Sequence, residues 1–86
     1  DIVGERTRVN FRQMGDRSNE EQVKIEIRNH KSEAVVVKVL EHFGGDWTIR
    51  QQSLESAKKD ASTAEWRVAV PANGKADVTY TVFRTW

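Results

Sequence analysis

Few residues of this chain have the type and spacing to do chemistry. It has two histidines and no cysteine, so a thiolate nucleophile, a disulfide and a thiolate metal site are all excluded. His30 sits in Asn29-His30-Lys31-Ser32, a polar run that reads as a turn. His42 follows Glu41, and Asp46 lies four residues on, so a metal site can be drawn from the three. A metal needs three or four ligands that converge, whereas neighbouring residues of a strand point to opposite faces. Asp16-x-Ser18-x-Glu20 suggests a calcium loop, but Glu21 and Ile27 stand where an EF-hand needs Gly and a bidentate Glu. No nucleophile elbow, phosphate loop or dinucleotide fingerprint is present. No catalytic residue and no metal ligand is therefore assigned, and no cofactor is called for.

Two other groupings are candidates for binding. Arg6, Arg8 and Arg12 share one parity, and Val3, Val9 and Phe11 share the other. On a strand, that parity makes the arginines one charged face, suited to an acidic protein surface. Such a face also serves simply to solvate an edge strand. Phe43 and Trp47 flank Gly44-Gly45-Asp46, and a ring pair there could stack on a sugar or peptide. Packing over the end of the fold is the plainer role for Trp47. Trp66 has core parity, and Trp86 closes the chain on the apolar parity of the last strand.

The elements that must position these residues are strands. Val23, Ile25 and Ile27 alternate with Lys24, Glu26 and Arg28; Ala64, Trp66, Val68 and Val70 alternate in the same way, as do Val78, Tyr80 and Val82. The run Ala34 to Phe43 is continuously apolar around Val35-Val36-Val37, which predicts a central strand covered on both faces at one end. Val3 to Met14 alternates weakly, and Trp47 to Gln51 is a shorter candidate. Gly15 to Asn19, Asn29 to Ser32 and Gly44 to Asp46 separate the runs. Asn73-Gly74, within Pro71 to Lys75, predicts a hairpin. Gln52 to Ser62 is polar, with room for one helical turn, and reads as a crossover between two sheets. The expected fold is a single all-β domain over residues 1–86, an immunoglobulin-like or fibronectin-III-like antiparallel β-sandwich of six or seven strands.

Four stretches carry a family likeness: Val3-Gly4-Glu5-Arg6, Glu26 to Lys31, Glu41 to Trp47, and the run from Lys58-Lys59-Asp60-Ala61 through Trp66-Arg67-Val68 and Val70-Pro71-Ala72 to Thr79-Tyr80-Thr81-Val82. In this order, and with Trp86 at the end, the chain resembles the C-terminal part of a mostly bacterial family known as domain of unknown function 4139. Relatives carry a His-Pro-Tyr-like stretch where this chain has Leu54-Glu55-Ser56. The resemblance implies a β-rich module ending a longer, envelope-associated or periplasmic protein, and implies no activity and no functional residues. The start at Asp1, without Met, fits the same expectation of a piece of a longer chain.

Fourteen basic against thirteen acidic residues leave a net charge of +1, which gives no electrostatic case for nucleic acid. No apolar run is long enough to insert in a membrane as a helix. The expected role is a non-catalytic structural or protein-interaction module, meeting the upstream part of its own chain or another protein through Arg6, Arg8 and Arg12. The alternative is a glycan- or peptide-binding module built on Phe43 and Trp47. An enzyme ranks third.

Overall fold

The alternating runs become strands that stack into two sheets. The computed structural model describes residues 1–86 and contains seven strands and no helix: β1 (Ile2–Gly15), β2 (Ser18–Asn29), β3 (Val35–His42), β4 (Asp46–Gln52), β5 (Ala57–Asp60), β6 (Thr63–Val70) and β7 (Lys75–Thr85). One sheet has the order β1-β2-β7-β4 and the other β3-β6-β5, all neighbours antiparallel. This is the expected β-sandwich. Its core is Val23, Ile25 and Ile27 of β2, Val78, Tyr80 and Val82 of β7, and Ala64, Trp66, Val68 and Val70 of β6, closed by Phe43. The Trp66 and Tyr80 rings stack with centroids 4.8 Å apart. The Trp66 indole N–H donates to the Leu54 carbonyl at 3.0 Å, so burying its polar edge leaves no unmet donor.

Three expectations are corrected. First, β3 is not central: it pairs with β6 alone, and its residues alternate, with Val36 66% and Leu40 49% exposed. A valine run is compatible with either place, and the three-stranded sheet leaves nothing to cover the outer face. Second, Pro71 to Lys75 is no hairpin, because β6 and β7 lie in different sheets. Pro71 has no N–H to continue the ladder, and Asn73 takes a positive φ of 52°, so the reversal carries the chain from one sheet across to the other. Third, the polar stretch after Gln52 contains no helical turn; it crosses between sheets as expected, but it also supplies β5, the short edge strand beside β6. Between β3 and β4, Gly45 takes φ +67°, and a Cβ there would stand 2.6 Å from the Thr85 carbonyl oxygen, so only glycine fits that crossing.

The molecule measures 48 × 25 × 18 Å. At about 3.4 Å per residue, the fourteen residues of β1 account for the long dimension. With four strands against three, β1 lies beyond the cover of the smaller sheet, and every one of its residues is exposed.

Candidate functional site

The overhanging strand gathers the arginines singled out above, and its register decides where they point. Opposed residues of an antiparallel pair share a face. Gly4, Arg6 and Arg8 stand opposite Ile27, Ile25 and Val23, which face the core. A bulge lies between Arg8 and Asn10, and beyond it Phe11 opposes the buried Glu21 while Arg12 opposes Glu20. The extra residue reverses the parity. Arg6 and Arg8 therefore lie on the inner side of the sheet, Arg12 lies on the outer side, and Phe11 joins Arg8 with the guanidinium carbon 4.7 Å from its ring centroid. The single arginine face expected from simple alternation is not formed, because alternation does not count the residue at the bulge.

Each arginine is held by a glutamate. Arg6 Nε donates to Glu41 of β3 at 2.8 Å, spanning the open flank between the sheets, and the Tyr80 hydroxyl donates to the same carboxylate. The hydrogen bond to Glu41 raises the Arg6 guanidinium still further above its ordinary value. Burial, then the Glu41 carboxylate, holds the Tyr80 phenol well above the ordinary tyrosine range. Arg8 Nε donates to Glu21 at 2.8 Å, and Arg84 donates to Glu21 and, at 2.9 Å, to the Asn19 side-chain oxygen. Burial opposes the charge on Glu21, but hydrogen bonds from Arg84 and Arg8 outweigh it and hold the carboxyl below its usual range. Arg12 shares Glu20 with Arg50, each at 3.2 Å. Glu5, the one acidic residue of β1, has no ion-pair partner and stands opposite Glu26.

The aromatic pair takes the plainer of its two expected roles: Trp47 packs against the core and the ligand platform is not formed. Phe43 is only 3% exposed, tilted against Trp47 at 4.9 Å and edge-on to Tyr80 at 5.8 Å, so it gives a ligand no ring face. Trp47 is half-buried and donates its indole N–H to the Ala61 carbonyl at 2.8 Å, fastening β4 to the loop before β6. The Phe43–Trp47 platform is thus part of the core and its lid. The exposed rings are Phe11 and Trp86, which line a cleft of about 530 Å³ with Arg8, Arg84, Gly44 and Gly45. Glu41 faces inward and His42 outward, where His42 Nδ1 meets the Thr63 hydroxyl at 3.0 Å; no His, Asp and Glu side chains gather into a metal-binding group.

Two residues central to this arrangement were not singled out from the sequence. Glu21 anchors two arginines. Buried Asn29 donates to the Glu33 and Pro71 carbonyls at 2.9 and 3.1 Å and accepts from the Lys31 amide at 2.9 Å, tying together two loops that join the sheets. The signal for both was the parity of Val23, Ile25 and Ile27, which extends to 21 and 29.

No protein-family model matches the chain, and no curated protein or solved structure is significantly similar to it. No helix is long and apolar enough to cross a membrane.

Proposed function

We propose that this chain is a non-catalytic protein-interaction module that docks through β1, and that it belongs to a larger, envelope-associated bacterial protein. The observation that carries the docking role is that β1 runs the length of the molecule, pairs on one side only and is exposed at every position. An unpaired strand edge offers a row of backbone donors and acceptors to an added strand. The apolar residues Val3, Val9, Phe11 and Met14 on β1 give such a contact surface to bury. The charged side chains that converge on β1 are held in arginine–glutamate pairs, Arg6 with Glu41, Arg8 with Glu21 and Arg12 with Glu20, which neutralise one another. The immunoglobulin-like description and the envelope setting rest on the strand pattern and on the family resemblance.

The experiment is a titration of the isotopically labelled chain with the remainder of its parent protein, followed by amide chemical shifts at low and high salt. Shifts along β1 are the expected result. A second reading, a ligand-binding cleft, is favoured by the exposed Phe11 and Trp86 rings beside Arg8 and Arg84. Shifts confined to Gly44, Gly45 and Trp86, elicited by an oligosaccharide or short peptide and absent with the parent protein, would replace the first reading with the second.

A further inference from the structure

Resting on the docking role of β1, we infer that the strand it accepts is β1 of a second copy of this chain, forming a symmetric antiparallel dimer. The backbone phase of β1 limits how a strand can add. His30 N–H donates to the Asp1 carbonyl, and bonding direction alternates along an antiparallel strand, so Val3, Glu5 and Thr7 bond toward β2 while Gly4, Arg6 and Arg8 direct their backbone groups to the free edge. Past the bulge the free groups belong to Phe11 and Gln13. In agreement, the Phe11 N–H has no strand partner and is taken by its neighbour's Asn10 Oδ1 at 2.9 Å.

Because the bulge reverses parity, the half of β1 before it matches the half after it. Laid antiparallel against a second copy, β1 keeps like faces together when Gly4 opposes the partner's Gln13 and Arg6 opposes the partner's Phe11, each pair exchanging backbone bonds. In that register Glu5 opposes the partner's Arg12, Thr7 the partner's Asn10 and Val3 the partner's Met14. Glu5 has no ion pair in the monomer and faces Glu26, so it gains a counter-charge; Arg6 gains an aromatic ring; between Ile2 and Gly15 no like charges stand directly opposite, and the two bulges meet at the two-fold axis, where Arg8 stands opposite the partner's Val9. Slips of two residues either way keep the faces but set Glu5 against the partner's Asn10 or Met14, losing the ion pair. Inward-pointing arginines and a bulge discourage indiscriminate edge pairing, and here they leave one register favoured over its neighbours. The contact is isologous, so it closes at two copies and joins the two four-stranded sheets into one.

The test is sedimentation equilibrium of the 86-residue chain from micromolar to millimolar concentration. The mass should rise from 9.9 kDa toward twice that value. Glu5→Arg and Arg12→Glu, both at exposed positions, should each weaken association about tenfold or more, since two symmetric cross-strand pairs turn repulsive. Mixing the two variants should restore it, because each then supplies the charge the other lacks. Near-ultraviolet circular dichroism of the Trp66–Tyr80 stack verifies that both variants fold. A chain that stays at 9.9 kDa at millimolar concentration, or a dimer indifferent to both substitutions and their mixture, overturns the second copy as the occupant. The docking role of β1 is tested separately: a chain that stays monomeric but whose amide shifts with the parent protein lie on β1 keeps that role and loses only the second copy as its occupant.

Discussion

At Asn29 one side chain does what no run of apolar residues can: it holds two crossings between sheets in fixed relation. Its amide reaches the Glu33 and Pro71 carbonyls while its oxygen receives the Lys31 N–H, and its own backbone N–H donates to Gly74. Asn29→Ala would leave those buried groups unpartnered and should cost about 1–3 kcal/mol, read as a lower urea midpoint at unchanged slope. A midpoint equal to the parent's would show that water replaces the amide freely. Trp66→Ala removes the largest fully buried side chain and its stack on Tyr80, and should cost about 3–5 kcal/mol by the same measurement. Inward parity alone placed Trp66 correctly. That parity also reaches Asn29 and Glu21, yet a polar residue at an inward position reads as the end of a strand unless its partners are known. Beyond the nearby Glu33, those partners come from other segments: Pro71 for Asn29, Arg8 and Arg84 for Glu21.

Among the elements, β1 departs most from its sequence pattern, and it departs through one residue. The bulge after Arg8 moves Phe11 onto the arginine side and sends Arg12 to the other. The weak alternation from Val3 to Met14 is its only trace in the sequence. In dilute solution, hydrogen exchange should report the resulting phase directly. Val3, Glu5 and Thr7 amides, bonded to β2, should be protected, while those of Gly4, Arg6 and Arg8 should exchange at near-unprotected rates. Equal protection along the strand would mean that the alternation is wrong or that the free edge is already covered. The other strands divide in an instructive way. β2, β6 and β7 were legible because one apolar and one polar face is a local, period-two signal. The edge position of β3 and the separation of β6 from β7 were not, because valines and an Asn-Gly turn specify extended chain and reversal without specifying which sheet receives the next strand. β5 was hidden as well, since Ala57 to Asp60 is exposed throughout and so carries no burial pattern to read.

For the whole molecule, the two sheets are held by an apolar core and by polar links at its margins, and the links make its stability depend on pH at both ends. Tyr80 is the only tyrosine, so tyrosinate absorbance reports on it alone. Unfolded, it ionises near 10.0; folded, burial and Glu41 hold its proton well beyond that. Above pH 10.0 the folded chain therefore binds more protons than the unfolded one, and stability falls as pH rises. Glu21 has the opposite sign. Arg84 and Arg8 keep it ionised below its ordinary 4.5, so the unfolded chain binds more protons there and stability falls as pH drops through and below that value. Glu26 and Glu65, also lowered, add to the acid limb. A urea midpoint measured against pH should thus be level between these limits and decline outside them. Tyrosinate absorbance should appear only together with unfolding; an absorbing tyrosinate near pH 10.0 in a chain that keeps its β dichroism would contradict the Tyr80–Glu41 contact. Tyr80→Phe separates the two limbs: it keeps the ring on Trp66, removes the ionisable hydroxyl and leaves Glu21 untouched. Its alkaline decline should therefore be blunted while its acid decline persists.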